Sequence, residues 1–125
     1  MKVKFYRCNM CGNLIDMVVD STVVPVCCGK PMQELVANTS DGATEKHVPM
    51  VKVDNDVVHV QVGSTVHPST EAHHIVFVVL VTDKGVHRKY LEVGKDPIVE
   101  FAVHQEKPLE VYEYCNLHGL WKTKL

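Results

Sequence analysis

The sequence lacks long apolar runs. Among its 125 residues the longest is 75–81, seven residues, whereas a membrane-crossing helix needs about 20, so no span is expected. Alanine is scarce, with four residues against 24 valines, and no helix-length segment shows a clean 3.6-residue period. Both points weigh against a helical bundle and toward strands, because β-branched side chains suit a pleated surface. An excess of one charge is also missing. Thirteen basic against 15 acidic residues give a formal net charge of −2, which argues against a nucleic-acid backbone binder and an acidic tail. The opening residues 1–8 have no apolar signal-peptide core. The expected compartment is therefore the cytoplasm, where disulfides are rare. No internal repeat or low-complexity tract is present.

What the chain does have is a series of short β-type runs: 48–53, 57–62, 75–82, 87–93, 98–103 and 109–115. Between them lie Asp54-Asn55-Asp56, Asp83-Lys84-Gly85 and Gly94-Lys95-Asp96-Pro97, all good turn chemistry. Six or seven strands at this spacing predict an immunoglobulin-like antiparallel β-sandwich. The 75–81 run is apolar on both faces and should be a central strand.

The first 36 residues differ from the rest. They hold four of the five cysteines, and the polar stretch 37–43 that follows reads as a linker. The expected division is a small metal-binding domain, 1–36, and a sandwich domain, 37–125. An odd cysteine count leaves one thiol unpaired in any disulfide scheme, and clustered cysteines in a reducing compartment more often bind metal. Cys8 and Cys11 form a Cys-x-x-Cys pair, and Cys27-Cys28 follows after fifteen residues. Two such pairs on facing turns offer four thiolates to one ion, zinc or iron, and spacing alone does not separate the two. Gly12 and Gly29 follow the pairs, where a tight turn brings backbone amides near sulfur. A zinc ribbon that only staples a small core would show the same pattern. A thioredoxin-like motif is poorly supported, since no βαβ pattern surrounds it.

The fifth cysteine, Cys115, lies three residues before His118 where a strand enters a loop. His47, His67 and the pair His73-His74 also sit in loops or at strand ends, where a sandwich gathers functional groups. His59, His87 and His104 read as surface residues from strand alternation or edge position. A blue-copper site would use two histidines, a cysteine and a nearby methionine. No methionine follows His118 and the histidines are too many.

Taken together, these motifs closely resemble the desulfoferrodoxin family, the two-iron superoxide reductases. The resemblance spans essentially the whole chain. It rests on Cys8, Cys11, Cys27 and Cys28; on Glu45-Lys46-His47-Val48-Pro49; on Gly63-Ser64 with His67-Pro68 and His73; and on Glu113-Tyr114-Cys115-Asn116-Leu117-His118-Gly119-Leu120-Trp121. The resemblance implies a desulforedoxin-like Fe(Cys)4 domain before a catalytic sandwich. It implies a second iron in a square pyramid of His47, His67, His73 and His118 with Cys115 as axial ligand. This chain has His74 where the family often has an aromatic residue, which leaves His73 and His74 both open, with His73 preferred on spacing. The implied reaction reduces superoxide to hydrogen peroxide. Lys46 would steer the anion, and Glu45 would cap the oxidised site. Also implied are a rubredoxin-like electron donor, a homodimer, and calcium at the dimer interface. Two other readings remain at this stage: a non-enzymatic iron electron carrier and a zinc-stapled interaction module.

Overall fold

The computed structural model describes residues 2–40 and 42–125. Met1, at the head of the first expected domain, and Asp41, inside the expected linker, lie outside the described residues. The chain divides into two compact units, Lys2–Val36 and Ala37–Leu125.

The first unit is built from very short strands. β1 (Phe5–Arg7) lies between β2 (Leu14–Asp16) and β5 (Gln33–Glu34) and is antiparallel to both. β3 (Val26–Cys27) and β4 (Lys30–Pro31) form a hairpin joined by Cys28 and Gly29, whose φ values are 53° and 74°. Two positive φ angles in a two-residue loop give the twist that antiparallel strands require, and a glycine at the second position adopts it without strain. Phe5 is buried in this unit, and a small cluster of Tyr6, Cys8 and Met32 has Met17 and Cys27 packed against it. So little apolar packing calls for a staple such as a metal.

The second unit begins with a single helical turn, α1 (Thr44–His47). It continues through β6 (Pro49–Asp54), β7 (Val57–Val62), β8 (Ile75–Thr82), β9 (Val86–Tyr90), β10 (Ile98–Ala102), β11 (Pro108–Cys115) and β12 (Gly119–Lys124). The strands form two antiparallel sheets, ordered β10-β7-β6 and β12-β11-β8-β9. Alternation on β7 turns Val58, Val60 and Val62 inward. They join Phe101 of β10 in one core with Val78 and Leu80 of β8 and Val111 and Cys115 of β11. The sheets thus face each other across a shared apolar layer, the antiparallel sandwich that the strand spacing predicts. β8 is central as expected, between β11 and β9, and every residue of it except Val76 is buried. Among the described residues no helix is long and apolar enough to cross a membrane.

Three local expectations need correction. β9 stops at Tyr90 rather than residue 93, because the chain beyond it turns to bond another loop: Gly94 N–H donates to the Ser69 carbonyl (3.1 Å). β12 was not among the expected strands. The polar stretch read as a linker is not a free tether at Asn38. Asn38 is stapled to β12, its Nδ2 donating to the Lys122 carbonyl (3.2 Å) and its Oδ1 accepting from the Lys122 N–H (2.9 Å). The three histidines read as surface residues stay away from the metal-capable groups. His59 pairs with Glu100 (3.0 Å), His87 pairs with Glu106 (3.1 Å), and His104 is exposed.

Candidate metal centres

Antiparallel pairing decides where the chemistry can gather. In the second unit β6, β8 and β12 begin, and β7 and β11 end, at the same rim, as the pairs Pro49↔Val62, Cys115↔Ile75 and Cys115↔Gly119 show. His47 closes α1 just before β6. His67 and His73 lie on the connection from β7 to β8. Cys115 ends β11, and His118 lies in the turn to β12. Residues up to 71 positions apart in sequence therefore meet at one end of the sandwich.

One donor atom each from His47, His67, His73 and Cys115 lies within 4.8 Å of the others. His47 and His67 are 2% and 1% exposed, and Cys115 is fully buried. His118 stands edge-on beside the group, its ring centroid 4.9 Å from His47 and 5.1 Å from His73. Of the two adjacent histidines, His73 is in the cluster, while the His74 Nδ1 is bonded to the Thr70 carbonyl (2.9 Å).

The donor chemistry fits a cation. His47 Nδ1–H donates to the Ala43 carbonyl and His67 Nδ1–H to the Pro68 carbonyl, each at 2.7 Å. Those bonds fix the tautomers and leave both Nε2 atoms as bare lone pairs, 3.2 Å apart. Two lone pairs facing each other in a dry site repel unless something positive lies between them. Imidazole nitrogens at about 2.1 Å on adjacent corners of a coordination polyhedron are about 3 Å apart. The Nε2 of His73 is buried with no hydrogen-bond partner, another donor waiting for a Lewis acid. Cys115 Sγ lies 3.5 Å from His67 Nε2.

Electrostatics favour the ligand forms of the imidazoles. Burial, ahead of every other cause, lowers His47 and His73 and pushes His67 down to about 4, so all three are neutral at pH 7. Burial raises the Cys115 thiol, while backbone N–H groups of Leu117 and His118 act in the opposite direction. Glu45 and Lys46 are exposed on α1, directly before buried His47. The Lys46 charge reaches the site, because it helps to lower both His47 and His73.

In the first unit, Cys8, Cys11, Cys27 and Cys28 also place their sulfurs within 4.8 Å of one another. Cys11 and Cys27 are 3.7 Å apart, and Cys27 and Cys28 are 4.0 Å apart. The second distance is far too long for a disulfide. Both suit a tetrahedron of sulfurs, whose edge is about 3.8 Å at a metal–sulfur distance of about 2.3 Å. Backbone N–H groups point at sulfur: Cys11 to Cys8 (3.5 Å) and Asn13 to Cys11 (3.4 Å). Hydrogen bonds from the Cys11 and Met10 backbone draw the Cys8 thiol down to about 6.

Two residues near the histidines had no assigned role in the sequence reading. Trp121 stacks on His47 (centroids 4.9 Å, 24°) and its indole N–H donates to the His118 carbonyl (3.0 Å). A Cβ on Gly42 would lie 3.1 Å from His47 Cε1 and 3.2 Å from His118 Cβ, so this glycine lets the backbone cover both rings. The signal for Trp121 was present: it is the lone tryptophan, three residues after His118. Nothing in the sequence marked Gly42.

Known proteins are similar to this chain in sequence and in fold. The Desulfoferrodoxin family profile matches residues 39–124. A desulfoferrodoxin from Syntrophotalea carbinolica is 42% identical over 123 residues, covering 98% of this chain and 97% of that one. The crystal structure of the superoxide reductase from Treponema pallidum superposes with a TM-score of 0.83 at 37% identity, covering 99% of this chain and all of that one. A one-iron superoxide reductase from Giardia intestinalis matches with a TM-score of 0.56 at 32% identity, over 65% of this chain and 97% of its own. With two metal-capable groups able to bind iron and a match across nearly its whole length, the chain belongs to the desulfoferrodoxin family.

Proposed function

We propose that the protein is a superoxide reductase: superoxide takes up one electron and two protons and leaves as hydrogen peroxide. The observation that carries this reading is the meeting of three neutral imidazoles, two buried and one half-buried, with one buried thiol at one rim of the sandwich. His47, His67, His73, His118 and Cys115 would hold an iron, and bound iron supplies the one-electron reducing chemistry. Cys8, Cys11, Cys27 and Cys28 would hold a second iron, for electron transfer or as a staple of residues 1–36. On this reading residues 37–125 are the catalytic domain.

The chain's own residues have distinct tasks. Pro68 and Ala43 carbonyls fix two imidazoles so that Nε2 faces inward. The thiolate of Cys115, steadied by the N–H groups of Leu117 and His118, is the electron-rich donor of the set. Trp121 and Gly42 close over the rings and keep water from them. Lys46 carries a positive charge beside the site and raises the local concentration of an anionic substrate. Glu45, on the same exposed turn, would serve as a reversible cap of the site when an oxidised iron is held there. The donor would be a rubredoxin-like protein, the working form a homodimer, and the compartment the cytoplasm, where five unpaired cysteines remain reduced.

Two measurements test the reading. The iron-loaded protein should consume superoxide generated by pulse radiolysis and yield peroxide without dioxygen. Zinc at the five-ligand site after aerobic and anaerobic purification alike, or no reaction with iron bound, would overturn it. Lys46→Ala should slow the bimolecular step on the order of 10-fold and flatten its dependence on ionic strength. An unchanged rate would remove the steering role.

A further inference from the structure

The histidines do not all sit on equally firm supports. His47 is anchored by α1 and β6. His73 lies on the 63–74 connection, which makes no strand ladder. Its immediate segment closes on itself. Thr70 N–H donates to the His73 carbonyl (2.9 Å), and Thr70 Oγ1 accepts from the His73 N–H (3.1 Å). Such a turn is firm internally, yet these bonds do nothing to set its distance from Cys115.

A side chain on the opposite strand end does that. The Asn116 amide makes two bonds, one on each side of His73. Its Nδ2 donates to the Ala72 carbonyl (2.9 Å), and its Oδ1 accepts from the His74 N–H (2.9 Å). The Asn116 N–H adds a third bond, to the His74 carbonyl (3.2 Å). Only a primary amide on a short stem offers one donor and one acceptor with this reach. The geometry points to Asn116 as a positioning residue that locks the His73 segment to the Cys115–His118 turn, so that imidazole and thiol present one preformed site. This inference rests on reading His73 and Cys115 as ligands of a single metal.

The effect follows from preorganisation. A site with one ligand on an untethered segment must order that segment each time metal binds, and loss of an outer-shell contact of this kind weakens metal binding about 10–100-fold. Asn116 touches no ligand atom itself, so its influence passes through backbone placement.

Anaerobic iron(II) titration against a competing chelator provides the test, together with amide hydrogen exchange. Asn116→Ala should weaken binding at the five-ligand site about 10–100-fold and leave the four-cysteine site unchanged as an internal control. In the metal-free protein the His74 amide should exchange faster while the Leu80 amide in the core keeps its protection. Asn116→Asp retains an acceptor for the His74 N–H but sets an oxygen against the Ala72 carbonyl. It should preserve His74 protection and bind iron with intermediate affinity. The thiolate-to-iron charge-transfer band should move in both variants. Iron affinity within twofold of the parent and an unchanged His74 exchange rate would overturn the assignment, as would equal loss of protection at Leu80 and His74. The exchange experiment needs no metal. A parent protein that binds iron yet ignores superoxide would overturn the proposed function and leave the positioning result standing.

Discussion

At the scale of single residues, the most exposed cost in the sandwich is a carboxyl group with nowhere to put its charge. Glu113 is fully buried, neither carboxyl oxygen has a hydrogen-bond partner, and burial alone pushes its pKa well above the usual 4.5. The folded state therefore keeps a proton that the unfolded chain releases above pH 4.5. The unfolded state then binds fewer protons, so stability falls as pH rises through this window. Glu113→Gln has the same shape and no proton to lose. Its urea midpoint, measured against the parent in metal-free protein, should gain steadily from acid to mildly alkaline pH. A constant gap would show that Glu113 is ionised in the fold. The sequence placed Glu113 within a motif next to Cys115, but its protonation comes from what packs around it, from strands distant in sequence. The same limit applies to Asn116 and Gly42. Their residue types are legible in the sequence, while their partners are set by the meeting of chain segments.

At the scale of elements, the turn that follows β7 is coupled to the helix that carries His47. Gly63 has a φ of 82°, and a Cβ there would press on the Lys46 carbonyl group (2.7 Å) and on the Thr65 carbonyl oxygen. Thr65 N–H and Ser64 Oγ both donate to the Glu45 carbonyl (2.9 and 3.2 Å). Gly63→Ala should destabilise the protein by about 1–3 kcal/mol, read as a lower urea midpoint. It should also displace the Glu45–Lys46 turn, visible as altered amide shifts there. A neutral substitution would mean the turn yields freely. Elements differ in how plainly the sequence announces them. β7 and β8 run from 57 to 62 and from 75 to 82 as the valine-rich pattern predicts, because burial of one face or both faces writes itself into consecutive residues. β12 does not, since its residues Gly119 to Lys124 mix a glycine, two lysines and a threonine with only two large apolar side chains. The strand exists because β11 offers it a full edge, from Glu110↔Lys124 to Cys115↔Gly119. α1 has four residues, too few for any periodicity to register. The strands of the first unit are two or three residues long and owe their form to cysteine-bearing turns.

At the scale of the whole molecule, two units each carry a metal-capable group built from its own residues. That arrangement predicts separable losses. Cys11→Ser should abolish the colour of the four-cysteine iron and loosen residues 2–36, whose buried side chains are few: Phe5, Tyr6, Cys8 and Met32. Superoxide reduction by the sandwich should persist when a chemical reductant supplies electrons. Loss of both with the sandwich intact, judged by hydrogen exchange, would refute the division of labour. The sandwich also separates its own two rims. His47, His67, His73, Cys115 and His118 all sit where β6, β8 and β12 start and β7 and β11 finish, so the opposite rim, with the exposed 54–56 turn, holds none of these side chains. A peptide tag or reporter domain spliced into that turn would ride on the molecule without touching its reactive end, which makes this rim a handle for tethering the protein to an electrode.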